Sequence, residues 1–289
     1  MKLFPLIVVC IIGIGSANAS VVEQISGSEI DWGREIITAW AECPIAPASE
    51  QPNQALARKN AETWAKAEAA ANLLAALEQT AVTYEARGAD VVLSRKIEGF
   101  VRGIEVLKTE KITGDDGSAS VRVTIGTRMY GEGAPGTLML REAMKPRPKK
   151  ASFRVEMSDK PLEPAPEKQV GPFTSLIVDT RGCSIARALS PKIRRADGSE
   201  VWGTLPVTPD FAAETGIACY VTSMEAARKN GRCGSNPLVV KAVGRAGKLV
   251  MCDAVVSDAD ASLILDESVK TGFLDQCKVV FVIDAPATP

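Results

Sequence analysis

The 289-residue chain contains no histidine. That absence removes Ser-His-Asp triads, Cys-His dyads and every imidazole-ligated metal site together. No C-x-x-C occurs either, so a thiol oxidoreductase motif and a zinc ribbon have no framework. Aromatics are scarce, at 5% of residues, and Trp32, Trp40, Trp64 and Trp202 are scattered through the chain, a spread that suits core anchors better than a sugar-stacking platform. Charge of one sign is also missing, because 34 Lys and Arg face 35 Asp and Glu for a net charge of -1. Nucleic acid is therefore not an expected partner, since phosphate binding needs a concentrated basic surface. Past residue 20 no apolar run approaches the about 20 residues that span a bilayer, so no transmembrane segment is expected in the mature chain.

What is present begins with "MKLFPLIVVCIIGIGSANAS". A lysine, an apolar run and small residues ending in Ala17-Asn18-Ala19 form the three-part pattern of a secretory signal peptide, with cleavage expected after Ala19. Residues 1–19 are thus read as a leader and the mature chain as periplasmic or extracellular. Ser20 stands where a lipoprotein would carry its lipidated cysteine. Six cysteines remain outside the leader, Cys43, Cys183, Cys219, Cys233, Cys252 and Cys277. An even set in an oxidising compartment reads as disulfides, and six allow fifteen connectivities. Cys219 with Cys233 and Cys252 with Cys277 each bracket a short helical segment, which leaves Cys43 with Cys183.

Between residues 134 and 172 the chain keeps interrupting itself with proline, around two patterned islands, LMLREAM and FRVEM. Such a segment reads as a semi-rigid linker. It divides a first domain, 20–133, from a cysteine-containing second domain, 173–289. Its basic cluster, Lys145, Arg147, Lys149 and Lys150, could offer peripheral contact with an anionic surface, but a solvated linker is the better reading.

In the first domain, "ARKNAETWAKAEAAANLLAALE" at 57–78 is far richer in alanine than a surface helix requires. Leu56, Thr63, Ala67, Ala70, Leu74, Leu77 and Ala81 recur at helical spacing and predict an amphipathic helix with a small-residue seam. Glu62 and Lys66 form a favourably oriented pair one turn apart. The seam should lie close against the sheet that follows, with strands at 89–98, 100–112 and 119–129. The last alternates at Val121, Val123 and Ile125, and "GDDG" at 114–117 makes a hairpin with the strand before it. A helix over a meander is an α+β layer.

The register "QALARKNAETWAKAEAAANLLAAL", with Trp40 upstream, then a "DDG" hairpin and "VRVTIGTRMYG", resembles the domain shared by a family of small bacterial envelope lipoproteins and the amino-terminal part of the flagellar H-ring T protein. The resemblance covers residues 32–133. It implies an envelope assembly role without catalysis, while the missing lipidated cysteine departs from the lipoprotein members.

The second domain offers strands at "FTSLIVDT", "LSPKIRR", "EVWGTL", "GIACYVT", "PLVVKAVG", "KLVMCDAVV" and "KVVFVID". Asp197-Gly198 makes a hairpin turn, and the last strand, apolar on both faces, is expected to be central. Helices are predicted at about 223–229 and from Ser257, whose side chain can cap the second. The fold class is α+β in both domains, each with an antiparallel or mixed sheet covered by helices.

Four constellations invite chemistry. Gly131, Gly133 and Gly136 match G-x-G-x-x-G, with Glu156 further on, but the preceding strand belongs to an antiparallel hairpin and "KPRP" stops the following helix, so a glycine-rich domain exit is the better reading. "GRAGK" at 244–248 lacks phosphate-loop spacing and reads as a turn between strands at 238–243 and 249–254. Asp253, Asp258 and Asp260 spread around a helix start and read as helix capping rather than a calcium site. Ser94 and Lys96 illustrate the one nucleophilic option open without histidine, a serine–lysine pair, with nothing in the sequence to desolvate the lysine. No catalytic, cofactor-binding or metal-ligating residue is assigned. The expected function is that of a secreted, non-catalytic envelope protein that binds an envelope protein partner or itself; a histidine-free hydrolase or small-ligand-binding protein using the second domain is the alternative.

Overall fold

The computed structural model describes residues 21–79, 104, 106–143, 154–159, 169–203, 211, 215–247 and 250–285. The leader, the strand expected at 89–98, Ser94, Lys96 and the basic cluster at 145–150 lie outside them. The fold is α+β, and the described residues form three sheets.

The first sheet is antiparallel in the order β1-β2-β3-β5-β4, formed by β1 (Val22–Ile25), β2 (Ser28–Asp31), β3 (Ile36–Pro44), β4 (Val106–Thr113) and β5 (Ala119–Arg128). On β3, Ile37, Ala39 and Ala41 are buried, and on β5, Val121, Val123 and Ile125. Ala39 lies opposite Ile125 and Ala41 opposite Val123, so one face of the pair is continuously apolar. Helix α1 (Gln54–Gln79) covers that face, and Asn53 Oδ1 caps its start by accepting from Leu56 N at 3.1 Å. The sheet beneath it thus includes strands that precede the helix as well as the β4–β5 hairpin.

The alanine seam exists, but its phase differs from the sequence expectation. Ala57, Ala61, Ala65, Ala69, Leu73, Ala76 and Leu77 are buried, whereas Thr63 and Ala67 are exposed and Leu56 is 44% exposed. Alanines occur all around this helix, so composition defines the seam's width better than its direction. Burial of Leu73 and Leu77 contributes about 1.5–3 kcal/mol each. The Glu62 carboxylate takes Arg58 Nε at 3.1 Å rather than the lysine one turn ahead.

The two islands of the proline-rich segment are regular elements, helix α2 (Pro135–Ala143) and strand β6 (Arg154–Met157). β6 joins a mixed sheet in the order β6-β12-β13-β8-β9, with β8 (Ile193–Arg194), β9 (Glu200–Trp202), β12 (Gly244–Gly247) and β13 (Asp253–Val255). The glycines of "GRAGK" therefore sit in a strand and not in a turn. A Cβ at Gly244 would come within 2.4 Å of the Glu156 carbonyl oxygen, and only glycine admits so close a neighbouring strand.

The remaining sheet holds β7 (Ser175–Asp179), β10 (Cys219–Val221), β11 (Pro237–Lys241) and β14 (Val279–Val282) in the order β10-β14-β7-β11, all parallel. β14 is fully buried and central, as its apolar run predicts. Helix α3 (Met224–Lys229), capped by Ser223, covers one face with Ala227. Helix α4 (Asp258–Thr271), capped by Ser257 and closed by left-handed Gly272, contributes Ala261 and Ile264 to the main core. That core is one cluster, running from Ile30, Leu73 and Ile125 through Tyr130 and Leu140 to Trp202, Tyr220 and Phe281.

Candidate functional site

Four parallel strands place their carboxyl ends along one edge, the position where open parallel sheets bind ligands. β7 reads SLIVD, with all five residues buried, and delivers Asp179 there. Register sets Lys241 of β11 on one side of Asp179 and Val282 of β14 on the other, with Asp284 just beyond. Arg181 returns to Asp179 as a two-pronged partner: Nε donates to Oδ1 at 2.8 Å and Nη2 to Oδ2 at 2.7 Å. Burial works to raise the Asp179 carboxyl, but the Arg181 side chain, its backbone N–H and the charges of Arg181 and Lys241 outweigh it, so the net direction is downward.

The loop after β7 is tightly held. Gly182, at φ 86, donates its N–H to both carboxylate oxygens of Asp284, at 2.9 and 3.1 Å. Ser184 is left-handed at φ 51, and its carbonyl accepts from Arg245 Nη1 at 2.9 Å. Arg245 also grips Glu156 of β6 at 2.8 Å. Between the two left-handed residues, the Cys183 thiol is buried and donates to the Ala242 carbonyl at 3.5 Å. Burial pushes this thiol upward, the opposite of what a nucleophile requires. This edge presents a fixed, charge-balanced polar surface, with Arg181 its most exposed cation at 43%.

A second polar cluster joins the two halves of the sequence. The turn after β2 lies beside β10: the Trp32 ring meets Tyr220 edge-on at 5.6 Å, and Arg232 Nη2 donates to Glu35 Oε1 at 2.6 Å. Arg232 also donates to the carbonyls of Thr215, Gly216 and Cys277. Burial opposes the Arg232 charge, and the Glu35 charge and hydrogen bond overcome it, so its pKa rises. Glu35 and Cys277 are left-handed, at φ 58 and 49, and both are tied to this one guanidinium. A third contact pairs Arg187 Nε with Glu23 at 3.1 Å.

The cysteines stand apart as free thiols. Cys43 donates to its neighbour Pro44 on β3, and Cys183 to Ala242. Cys252 lies against Asp253, and Cys277 belongs to the main core. Cys219 and Cys233 do share the small cluster under α3, and Asn230 links them, donating from Nδ2 to Cys219 Sγ at 3.1 Å and accepting from Cys233 N at 2.9 Å.

Among the other sequence candidates, Gly131 and Gly133 have positive φ, and a Cβ at Gly136, the second residue of α2, would come within 2.3 Å of the Met129 carbonyl oxygen. Pro135 is the first residue of that helix, where a missing N–H costs nothing. Glu156 lies on β6 and is held by Arg154 and Arg245. Asp253 is buried against Arg194 Nε at 2.6 Å, while Asp258 and Asp260 occupy the first turn of α4. Trp32 and Trp202 are core residues, but Trp64 is 70% exposed on the outer face of α1, contrary to its reading as an anchor. Asp179, Arg181, Asp284, Glu35 and Arg232 were not singled out by sequence. The signal for the first two was an acid and an arginine directly after a run apolar on both faces.

Fold and site together define an α+β protein whose second half holds a parallel sheet with a polar carboxyl edge beside most of a mixed sheet. Residues 175–285, less than half of the chain, match a bacterial domain family described as Treponema pallidum Tp0624, second domain. The match runs from the first residue of β7 to just past β14, so it takes in the whole parallel sheet. It lies outside residues 32–133, and it shows no link to the flagellar H-ring T protein. No curated protein matches the chain. Among the described residues, no helix is long and apolar enough to cross a membrane.

Proposed function

We propose that the chain is an exported, non-catalytic protein of the bacterial envelope that works by binding protein surfaces, its own included. The observation that carries this reading is the condition of the carboxyl edge of the parallel sheet. Asp179 is locked by Arg181, Asp284 by the Gly182 N–H, and the one nearby thiol is buried with its proton held. Such an edge is built to present a fixed surface rather than to move protons. Trp64, exposed on a helix otherwise lined with alanine, adds the type of side chain that dominates binding energy at protein interfaces. The pattern of residues 1–19 supports export, and the resemblance over 32–133 supports an envelope role. In an oxidising compartment, the pair favoured for a disulfide is Cys219 with Cys233, whose members share one cluster.

The test is expression of the full chain, with its leader, in a bacterial host, followed by sequencing of the mature amino terminus and cross-linking from position 64 in intact envelopes. A chain starting at Ser20 that forms protein-sized adducts supports the reading. Retention in the cytoplasm refutes export. Turnover of a small substrate by the purified mature chain, abolished by Asp179→Asn, moves the assignment to the alternative, a histidine-free enzyme.

A further inference from the structure

We infer that the outer edge of β11 is a latent strand-pairing surface, held closed by Gln169, and that its occupant once opened is β11 of a second copy running antiparallel. Among the described residues β11 is the last strand of the parallel sheet, and its ladder partner there is β7. Asn236 O accepts from Thr174 N, and Ala242 N donates to Asp179 O. The even-numbered residues of this strand therefore face β7, and Val239 points its N–H and C=O outward.

Both of those groups meet the side-chain amide of Gln169. Val239 N donates to Gln169 Oε1 at 2.7 Å, and Gln169 Nε2 donates to Val239 O at 2.8 Å. Two residues of an antiparallel ladder that exchange both hydrogen bonds make this same reciprocal pair, so the edge already engages a peptide-like group. Asn236 Nδ2 holds the strap behind Gln169 by donating to the carbonyls of Val170 and Pro172, at 2.9 and 3.0 Å. The opposite edge of the sheet, β10, lies beside the Trp32–Glu35 turn, which leaves β11 as the strand with a replaceable cover.

The sequence of β11, PLVVK, is suited to pairing with itself. Antiparallel alignment about Val239 sets Val239 against its counterpart, Leu238 against Val240, and Lys241 against Pro237, so no two lysines are opposed. Such pairing is two-fold and closes at a dimer. Gln169 thus serves as a guard against edge-to-edge association, and its displacement is the step that would let this chain assemble. The inference rests on the proposed envelope role only for its biological use.

The experiment compares the full mature chain with Gln169→Ala and with Gln169→Ala/Val239→Pro by sedimentation velocity and circular dichroism. Proline at 239 removes only the outward donor and leaves the β7 ladder intact. The expected result is a monomeric wild type, a shift of Gln169→Ala to roughly twice the monomer mass, and a return to monomer in the double variant. A folded Gln169→Ala variant that stays monomeric overturns the inference, as does a double variant that remains dimeric. Loss of the native spectrum in Gln169→Ala also counts against it, because a guard on a sheet edge is not needed for folding. None of these outcomes bears on export or envelope cross-linking, so the two proposals fail separately.

Discussion

Replacing Arg232 with methionine keeps most of the side chain's bulk and removes its charge. The side chains of Arg232 and Glu35 are 15% and 28% exposed, so water screens the pair weakly. The substitution strands the Glu35 carboxylate and withdraws donors from the carbonyls of Thr215, Gly216 and Cys277. Breaking one side of a buried pair costs about 3–5 kcal/mol, and the remaining exposure of Glu35 places this case near about 3 kcal/mol. With a urea dependence of about 3 kcal/mol per molar, the unfolding midpoint should fall by about 1 M. A cycle with Glu35→Gln should return a coupling of about 1.5 kcal/mol or more, and a value below about 0.5 kcal/mol would refute the argument. That outcome would mean that the Trp32–Tyr220 contact and the Arg187–Glu23 pair hold the junction without it. Backbone conformation gives an internal control: with φ at 58, Glu35→Gly should be more stable than Glu35→Ala by about 1 kcal/mol, although both lose the carboxylate.

The depressed Asp179 carboxyl contributes stability that is fully present above the pKa of the unfolded chain and is lost as pH falls through the lower folded value. Acid unfolding followed by circular dichroism should therefore be less steep below about pH 4 in Asp179→Asn than in the wild type, and identical profiles would remove this carboxylate from the ledger. Burial drives the Cys219 and Cys277 thiols up to about 11 and also raises Cys183 and Cys252. In the reduced, folded chain at neutral pH, alkylation mapped by mass spectrometry should reach the half-buried Cys43 and Cys233 first, and early labelling of Cys219 would contradict its placement. On α1, Ala69→Leu should cost about 1–3 kcal/mol by overpacking, while Ala67→Leu should stay within about 0.5 kcal/mol. The reverse order in thermal denaturation would restore the seam phase that the sequence pattern suggests.

These experiments fall where sequence pattern and structure part company. Periodicity identified α1, the β4–β5 hairpin, both serine-capped helices and the buried final strand, because each rests on local signals: alternation, a cap, or a run apolar on both faces. The phase of α1 was not legible, since alanine satisfies every face of a helix and the choice falls to what the sheet admits at Ala61, Ala65 and Ala69. Residues 22–44 carry three strands that read locally as nothing distinctive, and pairing of β3 with β5 across more than 70 residues makes them a sheet.

The polar clusters show the same divide. An acid ending a wholly apolar strand, as in SLIVDTRG, marks the carboxyl edge of a buried parallel sheet, and Asp179 and Arg181 could have been found from that pattern. Glu35 and Arg232 could not, because nothing near either residue distinguishes it from a solvated charge. Their meaning comes from a junction between segments almost 200 positions apart, where a guanidinium is the one side chain able to reach a carboxylate and three carbonyls together. Gln169 belongs with them. In the sequence it is one more polar residue after a proline-rich stretch, and only its amide set against Val239 makes it the guard of an open edge. A segment whose composition reads as spacer thus supplies a helix, a strand and an edge cover, and the two halves it joins share one core.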